Sequence, residues 1–276
     1  MTISAARYGV MGNPIKHSKS PAIHTMFAAR TGESVHYEAL LVEPGDFRQA
    51  VDRFFLGGGR GLNITLPFKQ EAWQLADRLT ERARLAGAVN TLWKDDEGLL
   101  WGDTTDGVGL VRDLICNHEQ SITGKQVLIL GAGGAVRGII APLLEQGPAH
   151  ITIANRTESR ALALAELFDL SGTVAACGFA EVVGPFDLII NGTSASLQGE
   201  CPALPDSVLH ANTVVYDMMY SAHNTVFIQW AKDRGCIGIY DGLGMLVEQA
   251  AESFSIWRKI RPETIGVVAK IRSGLI

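Results

Sequence analysis

The stretch Gly131-Ala132-Gly133-Gly134-Ala135 is the part of the chain whose composition most directly specifies chemistry. Glycines at this spacing let a backbone turn tightly and come close to a phosphate, and a helix starting inside the loop offers unpaired N–H donors to an anion. The loop follows Gln126-Val-Leu-Ile-Leu130, a continuous apolar run of the kind that a strand buried on both faces requires, and residues 135 to 145 read as a helix. With the next strand at Ile151 to Ala154, this is the order of a dinucleotide-binding fold. A glycine-rich turn serving packing alone is the plainer alternative. The residues after that second strand select the cofactor. A fold for NAD usually places Asp or Glu there to accept from the ribose 2′-OH. Here the residues are Asn155-Arg156-Thr157, with Arg160 one helical turn further on. Two guanidiniums and a hydroxyl at a helix start fit a 2′-phosphate, so NADP is expected. An exposed helix arginine is often merely solvated, which counts more against Arg160 than against Arg156.

Other polar groups fall where ligands meet folds of this kind. In an open parallel sheet, ligands bind outside the carboxyl ends of the strands. Those ends carry Asn191-Gly-Thr193-Ser194, Asp217-Met218-Met-Tyr220 and Asp241-Gly242. Thr193, Ser194, Met218, Gly242 and Met245 are therefore candidates for contact with the dinucleotide, although the two methionines could equally fill a core. Near the start, Ser18 and Ser20 precede Pro21, a residue favoured in the first turn of a helix, so Ser20 reads as an N-cap. Hydroxyls beside a helix N-terminus also form a corner that accepts an anion such as a carboxylate.

The elements that must position these groups alternate between short strands and helices, the pattern of layered α/β folds. Strands are expected at 8–11, 35–42 and 61–65, with helices at 21–30 and 46–56. Helical stretches follow at 70–78 and 80–85, then a hairpin of 91–94 with 99–101 around the polar turn Asp95-Asp-Glu-Gly98. Beyond the glycine loop, further strands are expected at 173–176, 187–191, 214–218 and 237–240. A last helix spans 244–258, with Met245 and Gln249 four apart on one face and Phe254 and Trp257 as apolar anchors.

Bulk properties narrow the function. A chain of 276 residues suits two domains of ordinary size, and an apolar fraction of 47% supplies buried cores. A formal charge of −5 with no basic stripe argues against nucleic acid or an anionic membrane as partner. Cys116, Cys177, Cys201 and Cys236 lie far apart without a Cys-x-x-Cys spacing, so free thiols are expected rather than a metal site or disulfides. No N-terminal signal pattern and no apolar run of about 20 residues is present, which makes the cytoplasm the expected location.

Five strings, taken in order over nearly the whole chain, resemble the shikimate dehydrogenase family. They are His17-Ser18-Lys-Ser20-Pro21, Asn63-Ile-Thr65-Leu-Pro-Phe-Lys69, Ala88-Val-Asn90-Thr, Gly102-Asp-Thr-Thr-Asp106-Gly and Gly242-Leu-Gly-Met245-Leu-Val-Glu-Gln249, with the glycine loop between the last two. By itself a lysine after a Pro-Phe turn is usually exposed, and an aspartate before glycine is usually a turn or cap. The resemblance makes Lys69 and Asp106 the reactive pair: hydride transfer to a ketone creates an alkoxide that an ammonium can protonate or stabilise. It assigns a substrate carboxylate to Ser18 and Ser20, and the hydroxyls of a polyhydroxylated ring to Asn63, Thr65, Asn90, Gln249 and Tyr220. It further implies residues 1–104 as a substrate-binding domain, 105–243 as an inserted Rossmann-type NADP-binding domain, and 244–276 as helices returning to the first domain. Gln249 would then look into the cleft between domains. The expected activity is NADPH-dependent, reversible reduction of 3-dehydroshikimate to shikimate. The expected partner is a small molecule, with no metal, in a monomer or homodimer. Thr104, Gly192, Ser221 and Val226 depart from the family's commonest residues, which bears on the shape of the site rather than the reaction. A quinate/shikimate dehydrogenase and a non-catalytic NADP-binding regulator are the alternatives.

Overall fold

The computed structural model describes residues 5–168, 172–193, 195 and 199–274. Ser194, expected near the dinucleotide, lies outside the described residues. Contacts divide the chain into two units. One holds the residues up to Gly109 together with Leu246–Gly274, and the other holds Leu110–Met245. The first unit runs β1 (Ala6–Gly12), α1 (Ser20–Thr31), β2 (Val35–Leu41), α2 (Phe47–Leu56), β3 (Gly59–Ile64), α3 (Lys69–Leu75), β4 (Arg78–Leu79), α4 (Glu81–Ala86), β5 (Thr91–Lys94) and β6 (Leu100–Asp103). Helix α5 (Asp106–Arg112) leads on to β7 (Gln126–Leu130), α6 (Gly134–Leu144), β8 (His150–Asn155), α7 (Glu158–Phe168), β9 (Val174–Gly178), β10 (Leu188–Asn191), β11 (Val214–Asp217), α8 (Val226–Asp233) and β12 (Gly238–Asp241). Helices α9 (Leu243–Arg258) and α10 (Val267–Ser273) end the chain, and no helix of the described residues is long and apolar enough to cross a membrane.

The first unit's sheet has the order β2-β1-β3-β5-β6-β4. Strands β1, β2 and β3 pair in parallel, whereas β5 pairs antiparallel with β3 and β6, as the hairpin signal at 95–98 requires. In α2, Phe47, Val51, Phe54 and Phe55 recur at helical spacing and are buried, with Phe47 stacked on Phe68 at 4.9 Å. The helix expected over 70–78 stops at Leu75, because Arg78 and Leu79 pair with Trp101 and Gly102 as a short strand. Thr80 caps α4 by accepting from Ala83 N, and Gly87 closes it in the left-handed region. Ser20 is not a cap: α1 begins at Ser20 itself, with Pro21 in the first turn, and the Ser18 hydroxyl accepts from Ser20 N at 3.3 Å. The C-terminal helices return to this unit, since Trp257 of α9 donates to Leu92 O at 3.2 Å and stacks on Tyr8 at 4.9 Å.

The second unit's sheet has the order β12-β11-β10-β7-β8-β9, every pairing parallel. Val127, Leu128, Ile129 and Leu130 are fully buried, as an apolar run without alternation demands. The chain builds outward from β7 in one direction and from β10 in the other. The strand order therefore reverses between them, and the glycine loop leaves β7 at that switch point.

His24 of α1 is fully buried among aromatic rings. Its imidazole lies 4.1 Å from the Tyr37 ring and near parallel to it, with Phe27, Phe254 and Trp257 around it, and neither ring nitrogen has a hydrogen-bond partner among the described residues. Burial lowers its pKa from 6.5 to about 3, outweighing the opposing pull of the Asn63 side chain. Between those values the unfolded chain holds a proton that the folded chain does not, so stability is full above pH 6.5 and falls as pH drops toward 3. The expected slope from this one residue is about 1.4 kcal/mol per pH unit well below pH 6.5. Urea denaturation of the protein and of His24→Phe at about pH 7.5, about pH 6 and about pH 5 measures it. The difference in stability between the two proteins should shift toward the variant as pH falls, and a constant difference would refute the assignment.

Candidate active site

Strand β5 begins beside Asn90, whose side chain is buried in the first unit. Its Oδ1 accepts from Thr105 N and from Thr91 Oγ1, both at 2.9 Å. Its Nδ2 donates to Asp106 Oδ1 at 2.9 Å and lies within reach of Thr105 Oγ1 at 3.0 Å and Gln249 Oε1 at 3.2 Å. A carboxamide offers two donors and two lone pairs, so protein partners fill all four positions. Asn90 thus holds Asp106 and Gln249 rather than presenting a free amide. The second oxygen of Asp106 accepts from Lys69 Nζ at 2.5 Å. The Lys69 side chain is 15% exposed and that of Asp106 is 3% exposed. One of the three ammonium protons is committed to Asp106. No second acceptor for Lys69 occurs among the described residues, which leaves an oriented, partly accessible cation able to donate to a ligand oxygen.

Local sequence explains these placements. Lys69 starts α3 directly after the Thr65-to-Phe68 turn, in which Phe68 N donates to Thr65 O, and Lys69 O accepts from Val89 N. Asp106 opens α5, where a carboxylate is favoured. The segment between them is anchored by Asp103, buried and gripped by Arg82 through two bonds of 2.7 and 2.6 Å, and by Thr80 and its neighbour's amide, Thr104 N. Burial alone would lower the Arg82 pKa, but its bonds to Asp103 and the charge of Glu252 raise it above the ordinary value, so the guanidinium stays charged. Glu252 also pairs with Arg261, which reaches the buried Glu248.

Asn63 of β3 belongs to the same cluster. Its Oδ1 accepts from Tyr37 OH at 2.8 Å, and its Nδ2 donates toward Ser253 Oγ at 2.9 Å, Asn90 O at 3.1 Å and Thr91 Oγ1 at 3.2 Å. Burial pushes the pKa of the same Tyr37 phenol up. Thr65 is half-buried, its methyl turned toward Gly12, and its hydroxyl has no partner among the described residues. The structure thereby brings together Lys69, Asp106, Asn90, Gln249 and Asn63, whereas Ser20 is placed at the start of α1. Sequence reasoning missed Thr91, Thr105, Ser253 and Arg82. Thr105 lay inside one of the family strings and Ser253 follows Gln249 by one helical turn, so both had a signal; Arg82 had none.

In the second unit, Gly131 has φ of 106°, a region that side chains avoid, and a Cβ there would lie 3.2 Å from the Gly192 backbone. Gly133 and Gly134 face open space: a Cβ on either would meet nothing within 4 Å. Among the described residues no side chain caps α6, so its first amides are available to an anion. Ala132 and Ala135 are half-buried in the same turn. After β8, Asn155 turns inward to donate to Thr157 O at 2.8 Å, while Arg156, Thr157 and Arg160 are exposed, neither arginine making an ion pair among the described residues. The chain therefore carries a loop that fits a pyrophosphate and, beyond it, uncommitted cations that fit a further phosphate.

Thr193 is held at the end of β10 by bonds from its N and Oγ1 to Asn191 Oδ1. Met218 and Met245 are buried, and a Cβ on Gly242 would lie 2.1 Å from Met218 O, so this glycine is required by close backbone approach. Tyr220 is half-buried, and burial together with Asp241 raises its pKa. Among the unusual residues, Val226 takes the first position of α8 behind the Thr225 cap, where proline is favoured but not required.

A parallel sheet with a phosphate-type glycine loop at its switch point, and a second mixed sheet bearing an oriented Lys–Asp pair, define a two-unit α/β protein of the nicotinamide-dinucleotide dehydrogenase class. Comparison with known proteins makes this specific. Residues 10–92 match the shikimate dehydrogenase substrate binding domain, residues 113–198 match shikimate / quinate 5-dehydrogenase, and residues 242–267 match the shikimate 5′-dehydrogenase C-terminal domain. A shikimate dehydrogenase (NADP(+)) from Marinobacter nauticus is 58% identical, over 96% of this chain and 98% of its own. An Ael1 enzyme from Pseudomonas putida superposes with a TM-score of 0.91 at 42% identity, covering 96% of this chain and 98% of that one. Shikimate 5-dehydrogenase from Thermus thermophilus, in complex with NADP(H) and shikimate, does so with 0.87 at 31%, covering 98% and 100%. The chain belongs to the shikimate dehydrogenase family.

The structure supplies a reason for glycine at position 192: a Cβ there would lie 2.4 Å from Val136 Cγ2 in the first turn of α6. Gly192→Ala should destabilise the protein by about 1–3 kcal/mol through overpacking. Combined with Val136→Ala, it should cost less than the sum of the two single changes. Urea denaturation of the four proteins measures this coupling, and strict additivity would show that the contact is not the cause.

Proposed function

We propose that this chain is an NADP-dependent shikimate dehydrogenase, catalysing the reversible reduction of 3-dehydroshikimate to shikimate on the way to chorismate and the aromatic amino acids. The observation that carries the reading is the Lys69–Asp106 pair at 2.5 Å, held by Asn90, in a chain that also has the glycine loop and the Asn155-Arg156-Thr157 string. The first unit binds the substrate and the second the dinucleotide. A metabolic role of this kind fits the cytoplasm, with the enzyme a monomer or homodimer.

When bound, the reduced dinucleotide supplies a hydride to the ketone carbon. Lys69 supplies the proton that the resulting alkoxide oxygen needs, and takes it back in the oxidation direction. Asp106 aims the ammonium and balances its charge, while Asn90 fixes Asp106. Because Asn90 holds Asp106 through a direct bond of 2.9 Å, little reorganisation of the pair is required at the moment of reaction. Ser18 and Ser20 receive the substrate carboxylate beside the start of α1. Thr65, Gln249 and Asn63 of the first unit receive ring hydroxyls, and a pocket that pairs each hydroxyl rejects an analogue lacking one. On the cofactor side, Gly131 to Ala135 would hold the pyrophosphate, and Arg156, with Thr157, Arg160 and Asn155, would read the 2′-phosphate. Thr193, Met218, Gly242 and Met245 are the further residues that would meet the dinucleotide.

Lys69→Ala should lower kcat by at least about 10²-fold with little change in NADPH affinity. It also leaves a buried carboxylate short of its cation, so thermal stability is recorded in parallel. Near-normal turnover would remove Lys69 from the chemistry. Arg156→Ala should weaken NADPH by roughly 10- to 100-fold and barely affect NADH, because the lost bond is charge-assisted and specific to the 2′-phosphate. Equal losses measured by fluorescence titration would exclude that role.

The deciding experiment is steady-state kcat/KM for shikimate and quinate with NADP⁺ and NAD⁺. Shikimate with NADP⁺ should be best. The extra hydroxyl of quinate must find a partner near Ser18 and Ser20 or be buried unpaired, which implies roughly a 5- to 150-fold preference. Quinate with NAD⁺ as the best pair would assign the chain to a catabolic role, and no turnover by folded protein that binds NADPH would make it a regulator.

A further inference from the structure

Ser253 of α9 is fully buried, four residues after Gln249. Its hydroxyl accepts from Asn63 Nδ2 at 2.9 Å and lies 2.8 Å from Thr91 Oγ1, 3.3 Å from Thr105 Oγ1 and 3.1 Å from Gln249 O. One oxygen therefore touches four segments of the first unit: β3 through Asn63, β5 through Thr91, the approach to α5 through Thr105, and α9 through Gln249.

We infer that Ser253 is a positioning residue for the substrate site, an inference that rests on the function proposed above. A hydroxyl has one proton, and Ser253 can give its own to Gln249 O at 3.1 Å or to Thr91 Oγ1 at 2.8 Å, while its oxygen accepts from Asn63 in either case. Asn90 Oδ1 receives Thr105 N and the Thr91 hydroxyl, so Thr91 has spent its single proton on Asn90 and must accept from elsewhere. Ser253 and Asn63 are the donors beside it. Ser253 in turn accepts from Asn63, whose oxygen already receives Tyr37 OH. The orientation of the Asn63 carboxamide follows: nitrogen toward Ser253 and the β5 edge, oxygen toward Tyr37, with one oxygen lone pair left over for a ligand hydroxyl. Without the Ser253 oxygen, an Asn63 donor and the Thr91 acceptor both lose a partner inside a closed site. The amide is then free to rotate, and the pattern presented to substrate is no longer single. Ser253 reaches no reacting atom; it acts through Asn63 and Thr91.

The test is Ser253→Ala, which removes one oxygen and adds nothing that must be accommodated. The shikimate KM should rise by about 3- to 10-fold, the range that one net hydrogen bond supports. The kcat should fall by less than the KM rises, and the NADP⁺ KM should stay unchanged. In an Asn63→Ala background the same substitution should move the shikimate KM by less than about two-fold, because the residue through which it acts is gone. A lowered melting temperature with the shikimate KM intact would overturn the inference and leave Ser253 a packing residue. An undiminished effect in the Asn63→Ala background would overturn the route through Asn63. If the unsubstituted protein does not turn over shikimate, the proposed function fails separately. The Asn63 side-chain amide signal in ¹⁵N-correlated NMR spectra then decides for Ser253: it should shift in Ser253→Ala, and an unmoved signal would refute the assignment.

Discussion

The orientation of one buried carboxamide governs the first unit's polar centre. Asn90 receives a backbone N–H at its oxygen and gives a proton to a carboxylate from its nitrogen, and neither partner can exchange roles. A flipped amide would set its nitrogen against Thr105 N and its oxygen against Asp106. An unpaired buried group of this kind costs about 1–3 kcal/mol, and more when charged. The amide therefore has one setting, which fixes Asp106. Asp106 in turn fixes the Lys69 ammonium, and a cation on a flexible four-carbon stem acquires a definite direction.

Holding two aspartates three residues apart in a buried turn needs two cations. Lys69 answers Asp106, and Arg82 answers Asp103 with a bidentate grip that Thr80 completes. Ion pairs buried in this way contribute little net stability, because desolvation offsets attraction. Their value here is geometric. The fork of Arg82 accepts only one arrangement of the Asp103 carboxylate, and this sets the path of the chain into Asp106. Arg261, Glu248 and Glu252 extend the same network along α9, so Gln249 sits on a helix that is itself clamped.

The second unit solves a different problem, leaving backbone open to a ligand while keeping the strand ends in place. Asn191 joins β10 to β11 through Asp217, which also accepts from Thr225 Oγ1 at 2.6 Å and Met219 N at 3.1 Å. These side chains bind the ends of two strands and the cap of α8 into one buried unit. The glycine loop beside them can then remain free of side chains without loss of order. Close packing of Gly192 on Val136 and of Gly242 on Met218 shows why small residues recur there.

Much of this was present in the linear order of residues. The apolar run at Val127 to Leu130, the glycines after it and the basic string after β8 are local patterns, and local patterns carry strand burial, turn geometry and phosphate chemistry directly. The hairpin at 95–98 and the helix over 46–56 were legible for the same reason. Where the reading differed, a partner far along the chain decided: Arg78 and Leu79 became a strand because Trp101 and Gly102 offered an edge. Ser20 entered the helix instead of capping it, and the Ser18 hydroxyl accepts from its amide. The roles of Asn90 and Asn63 depended wholly on the fold. Sequence supplied two carboxamides able to face a ligand, but only tertiary structure brought Thr91, Thr105, Ser253 and Tyr37 around them. A side-chain hydrogen bond joins atoms whose separation in sequence leaves no periodic trace. The residue types and local geometry were therefore determined by the chain itself, and the direction in which each polar group points was decided by its distant neighbours.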